Sequence, residues 1–159
     1  MSENTGTGTN PITANDTFTG VFPCYEGMFQ IKAGNSYVDI ADVESFSISI
    51  DNGIEEWNPY GEEGWVRRLM TAKSVAFSCS GKRNVGDDGN DAVASYAFKN
   101  GRDAEADFKV NFKNGDSIEL TNAIVSVTAY EYGDSTNVAP LEFEIQSNGK
   151  PNITYAAAG

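Results

Sequence analysis

A chain of 159 residues, 40% apolar and 11% aromatic, can bury one core and is short for two. Its net charge of −12 repels phosphate and excludes tight or sequence-specific nucleic-acid binding. The absence of histidine removes the usual base of a catalytic triad and the commonest zinc ligand.

Charge is unevenly placed. Residues 1–66 hold eleven acids and one base, Lys32, for a net of −10; residues 67–159 hold twelve acids and ten bases, for −2. Such a bias keeps a chain soluble, or makes a surface that must not adhere to a polyanion. Cys24 and Cys79 are too few for a disulfide framework, and their positions do not decide whether they pair. No apolar run approaches the roughly 18 residues of a membrane-spanning helix. No cationic then apolar leader stands at the N-terminus, so neither a membrane role nor export by that route is expected.

Residues 1–20 are rich in Thr, Asn, Gly and Ser, with Ile12 and Phe18 the large apolar groups. They read as a flexible arm, either a plain tail or one whose Ile12 and Phe18 anchor on a partner. Residues 21–159 read as one β-rich domain. Strands are expected at 27–32 and 36–40, joined by the Ala33-Gly34-Asn35 hairpin signal. Ser45–Ile50 alternates without fault, and Asp51-Asn52-Gly53 has the chemistry of a turn that ends it.

Periodicity fails from Ile54 to Met70. This stretch holds Trp57, Pro59, Tyr60, Trp65, four glutamates and the pair Arg67-Arg68. A loop of that length is more often functional or bound to a partner than idle, and Trp, Tyr and Arg are the residues enriched in interface hot spots. The plainer alternative has the tryptophans capping the core. From Lys73 to Ser80 the chain alternates again, with Val75, Phe77 and Cys79 on one face and Ser74, Ser78 and Ser80 on the other. Residues 90–100 read as the one helix, capped by Asn90 or Asp91 and closed at Gly101, with Val93, Tyr96 and Ala97 along one stripe. Further strands are expected at 106–113, 117–120, 123–130, 141–146 and 153–155, so the fold class is mainly β, a sandwich or partial barrel with one flanking helix.

No catalytic residue set emerges. The chain lacks a nucleophile elbow, a P-loop and a dinucleotide fingerprint, and nothing selects a catalytic pair among 23 acids. Gly86-Asp-Asp-Gly-Asn-Asp91 resembles a calcium loop but departs from EF-hand spacing; a turn and a helix cap account for it without metal. Neither enzyme activity nor a cofactor is expected.

The order of Trp57, Gly64-Trp-Val-Arg-Arg-Leu69, Lys73-Ser-Val-Ala-Phe-Ser-Cys-Ser-Gly-Lys-Arg83, Gly86-Asp87 with Gly89-Asn90, and Asn137-Val-Ala-Pro-Leu-Glu-Phe143 resembles the tail tube (major tail) proteins of long-tailed bacteriophages and related particles. The resemblance covers roughly residues 40 to 151. It implies a structural virion subunit that forms hexameric rings, stacked into a hollow tube with an acidic lumen for passing DNA. It also implies tape-measure and terminator proteins as partners, and assembly in the bacterial host cytoplasm. On that resemblance, Trp57, Pro59, Tyr60, Trp65, Arg67, Arg68, Lys82, Arg83, Ile12 and Phe18 are candidates for subunit and ring contacts. Glu26, Asp39, Asp42, Glu44 and Asp51 are candidates for the lumen. A carbohydrate-binding β-sandwich that stacks sugars on Trp57, Tyr60 and Trp65 remains an alternative, as does a baseplate or head-decoration protein.

Overall fold

The computed structural model describes residues 18–156. Eight strands form one sheet: β1 (Met28–Ala33), β2 (Ser36–Asp39), β3 (Val43–Trp57), β4 (Arg67–Lys82), β5 (Glu105–Asn111), β6 (Ser117–Tyr130), β7 (Pro140–Gln146) and β8 (Asn152–Thr154). Their order is β2-β1-β5-β6-β7-β4-β3, with β8 beside the start of β6, and every pairing is antiparallel. The helix α1 (Asp88–Ala94) packs on β1, β2 and β6.

The sheet curls until its ends nearly meet. Phe29 of β1 stacks on Phe46 of β3 with ring centroids 4.4 Å apart, and the aromatic contact continues through Phe77 to Phe108. No ladder joins β1 to β3, so the barrel is partial. Between these ends lies a cleft of about 580 Å³ lined by Phe22, Tyr25, Phe29, Val43, Phe46 and Phe112. The alternating strands supply the core: Ile31, Phe77, Phe108, Leu120, Leu141 and Ile145 are all buried, with Val93 of α1 laid on top. Both cysteines are free thiols. Cys79 is buried in the core, which pushes its thiol up to about 12, and Cys24 is exposed.

Three local expectations are corrected. Asp51-Asn52-Gly53 is no turn; β3 runs through it to Trp57. Glycine inside a strand often marks a bulge or a close approach, and here it does both. The register of β3 on β4 shifts between Gly53 and Ile54, and a Cβ on Gly53 would come within 2.9 Å of the Ala72 Cβ. The stretch 54–70 is accordingly a continuation of the β3–β4 hairpin, with only residues 58–66 outside strands. Its alternation is weak in the sequence because neither face of this part is covered.

The helix starts and ends earlier than residues 90–100. Asp87, with extended backbone, accepts a hydrogen bond from the Asn90 amide at 2.9 Å and is the N-cap. At the other end Ser95 Oγ donates to the Ala92 carbonyl, and three-residue turns follow from Tyr96 and Ala97. Gly101 does take a left-handed conformation, but it opens a separate short turn, Gly101–Ala104. Finally, 117–120 and 123–130 are one strand, β6.

Gly89 makes a test of how closely α1 sits. A Cβ there would lie 2.0 Å from the Asp39 carbonyl oxygen and 2.9 Å from the Ile40 Cα. Helix propensity alone favours alanine by about 1 kcal/mol. The helix would have to lift off the β2–β3 connection, which costs about 3 kcal/mol by the usual penalty for overpacking. Gly89→Ala should therefore lower the urea midpoint despite its better propensity, and a raised midpoint would disprove the close contact.

Candidate functional site

Beyond the rest of the sheet, β3 and β4 continue alone. β7 pairs with β4 only from Ala76 to Lys82, so residues 50–57 and 67–74 form a two-stranded ribbon without further strand partners among the described residues. An isolated two-stranded ribbon is marginal in water. On one face, Ile50, Ile54 and Met70 carry apolar side chains into solvent, with the hydrogen-bonded Asn52–Lys73 pair between them. On the other, Trp57 and Arg67 lie opposite each other, with the guanidinium 6.0 Å from the indole centroid. Trp57 is 40% exposed, Trp65 is 75% exposed and Tyr60 at the tip is fully exposed. Arg68 pairs with Glu56 across the ladder at 2.9 Å. Within the tip, the Asn58 side-chain amide donates to the Gly64 carbonyl at 2.9 Å. Trp57, Pro59, Tyr60, Trp65, Arg67 and Arg68 are thus brought together on one projection.

The other interface candidates lie elsewhere. Lys82 and Arg83 sit at the far end of β4. Lys82 pairs with Glu44 at 3.3 Å. Arg83 is nearly buried and held by its own chain, donating to Asp91 at 2.7 Å, Glu131 at 3.1 Å and Asn90 at 2.9 Å. Phe18 packs edge-on against Phe22 and lies under Lys113. Ile12 falls outside the described residues.

Arg83 belongs to a polar knot that the Gly81-Lys82-Arg83 and Gly86–Asp91 motifs build. Asn90 is 0% exposed and fully satisfied. Its Oδ1 accepts from Arg83 and from the Asn84 amide, and its Nδ2 donates to the Ala41 and Lys82 carbonyls at 3.0 and 2.9 Å. Asp87 accepts from the Ala41 amide, and Asp91 from the Gly86 amide. The knot ties the β2–β3 connection, the end of β4 and α1 to one another. Hydrogen bonds from Arg83 and the Gly86 amide hold the Asp91 carboxyl below its ordinary range. A depressed carboxyl stabilises the fold above its unfolded pKa of about 3.9, and that contribution disappears as pH falls through the folded value. The gap in melting temperature between wild type and Asp91→Asn should therefore be present at neutral pH and close progressively below about pH 4. A gap that stays constant down to pH 2 would contradict this linkage.

A second surface was not read from the sequence. On the side of β3, β4, β6 and β7 turned away from the core, Ser45, Ser47, Ser78 and Ser80 meet Glu142 and Glu144 in a shallow groove. Asp51 and Ser74, paired on the ribbon, extend the same face. Among the described residues its cations are Lys82 at one rim, which Glu44 already engages, and Arg67 at the ribbon end, which lies over Trp57. Of the sequence-expected lumen residues, Asp51 lies on this face. Glu26 lies 3.8 Å from Lys113, Asp39 accepts from Gln30 on β1, Asp42 accepts from Asn84, and Glu44 holds Lys82. The signal was present in the alternation Leu141-Glu-Phe143-Glu-Ile145, whose outward residues are both acids.

No protein-family model and no curated protein matches the chain. Solved structures do. The tail of an empty gene transfer agent particle, refined with C6 helical symmetry, is similar with a TM-score of 0.67 at 17% identity, covering 84% of this chain and 99% of that one. The sheath–tube complex of an extracellular contractile injection system matches with a TM-score of 0.58 at 13% identity, over 85% and 92% of the two chains. The tube-terminating cap of the anti-feeding prophage matches with a TM-score of 0.55 at 17% identity, over 91% and 99%. The chain therefore has a tail-tube-like fold, the one found in the tails of these particles.

Proposed function

We propose that this chain is a structural tail subunit whose copies form hexameric rings stacked into a hollow tube, through which DNA passes as cargo. The observation that carries this reading is the bare β3–β4 ribbon. It holds two tryptophans and an apolar stripe outside the subunit's own core, and only a partner can cover them. Pairing along the free edge of β3 by a neighbouring copy would remove an open sheet margin by closure.

The serine–carboxylate face supplies the bore. Hydroxyls keep it hydrated, and Asp51, Glu142 and Glu144 repel phosphate, so DNA slides without the counterion release that drives binding. The C6 symmetry of the gene transfer agent tail supports six copies per ring. A tape-measure protein inside the tube and a terminator at its end are the partners this reading implies. The virion tail, assembled in a bacterial host cytoplasm, is its location.

Negative-stain electron microscopy and light scattering of the concentrated protein test the reading. Long hollow cylinders are expected. A persistent monomer that binds glycans through Trp57, Tyr60 and Trp65 would overturn it, and short clusters would point instead to a baseplate or head-decoration role.

A further inference from the structure

The side of β3 and β4 that faces the core at Phe77 and Cys79 runs on into the bare ribbon. Along it, Ile50 lies opposite Val75, Asn52 opposite Lys73, Ile54 opposite Met70 and Glu56 opposite Arg68. Apolar and polar rungs therefore alternate. The Glu56–Arg68 rung is closed on itself, with the two ions 2.9 Å apart. The Asn52–Lys73 rung is not. Lys73 Nζ donates to Asn52 Oδ1 at 2.7 Å, yet an ammonium has three N–H donors and a full charge, and Asn52 is neutral. Lys73 makes no ion pair among the described residues.

In the free subunit water serves the spare donors, because both side chains are exposed. Ile50, Ile54 and Met70 are 58%, 52% and 48% exposed, and they cannot be covered without covering Lys73 between them. An ammonium cut off from water with one neutral acceptor is costly unless a carboxylate joins it. A purely apolar partner would strand it. A second copy of this chain, which has 23 acids against 11 bases, brings carboxylates in excess.

We infer that Lys73 and Asn52 set the register between copies. The copy that covers this face presents apolar side chains to Ile50, Ile54 and Met70 and a carboxylate to Lys73, which Asn52 holds in place. An unbroken apolar stripe would also accept a partner slid by one rung, about 7 Å along the strand. With Lys73 in the stripe, that slide sets the carboxylate against an isoleucine and leaves the ammonium uncompensated. A polar position inside an apolar seam fixes one arrangement in this way, at some loss of strength. The inference deepens the tube reading and rests on it.

The test uses the full chain, with polymer measured by sedimentation and its order by electron microscopy. K73E sets like charges across the contact and should lower pelletable polymer about tenfold. N52D supplies the carboxylate from within the subunit and should lower it too. K73M removes the charge and keeps the stem; it should still polymerise, but into particles without a uniform axial repeat. K73R should keep uniform cylinders. The melting temperature of the K73E, K73M and K73R subunits should stay at the wild-type value, because Lys73 is exposed in the subunit. Uniform cylinders from K73E at the wild-type concentration would overturn the inference and show that something other than a second copy meets this face. Uniform cylinders from K73M would overturn the role in register, while the tube reading stands. Absence of polymer in the wild type would instead overturn the tube reading itself.

Discussion

Replacing Trp57 and Trp65 together by alanine is expected to stop tube formation while leaving a folded subunit. Both indoles lie on the β3–β4 ribbon, outside the core that Phe77, Phe108 and Ile145 form. Their removal leaves no cavity in that core, so the melting free energy should move by less than about 0.5 kcal/mol each, as for ordinary surface changes. The contact between copies responds differently. A buried aromatic at the centre of an interface contributes about 2 kcal/mol or more, and two per contact amount to roughly a thousandfold in association constant. A tube multiplies that loss over every subunit, so polymer should disappear at concentrations where the wild type is fully assembled. Cylinders formed at the wild-type concentration would remove the ribbon from the interface. A fall in melting temperature that matches the loss of polymer would mean the indoles support the fold instead.

The sequence disclosed this ribbon only as a failure of pattern. Where a strand buries one face, as with Phe77 and Cys79 against Ser78 and Ser80, selection for burial writes the period of two plainly. Where neither face is buried within the subunit, as from Ile50 to Trp57, nothing enforces it, and the Gly53 bulge shifts the register besides. An Asp-Asn-Gly triplet then looks like a turn although it continues a strand. The residue types survived that error: Trp57, Tyr60, Trp65, Arg67 and Arg68 do share one projection. The helix was displaced for a related reason. Asp87, Asn90 and Asp91 are all competent caps, and only the knot of tertiary hydrogen bonds decides that Asp87 caps while Asn90 turns inward. Charge was legible in total and not in place. Of the acids counted in residues 1–66, Glu26, Glu44 and Glu56 are held by Lys113, Lys82 and Arg68, whereas Glu142 and Glu144, in the nearly neutral half, share a face with Asp51.

Asn90→Ala should be among the most damaging single changes outside the apolar core. The substitution removes four hydrogen bonds at once, to Arg83, Asn84, Ala41 and Lys82. It leaves two backbone carbonyls and one backbone amide without the partner that Asn90 supplied. A buried polar group left unpaired costs about 1–3 kcal/mol, and some of that cost is recovered where water enters the vacated space. A net loss of about 3 kcal/mol follows, which for a chain of this size lowers the melting temperature by roughly 10 °C. Asn84→Ala is the informative comparison, because its side chain makes one exposed contact, to Asp42; it should cost under about 1 kcal/mol. Denaturant unfolding checks both, with an unchanged slope showing that the unfolded state is not what moved. The knot fixes α1 against the end of β4, and the connector that carries Phe98 and Lys99 leaves directly from α1. Equal melting temperatures for the two variants would show that solvent replaces Asn90 without loss, and that something other than this knot fixes that end of the subunit.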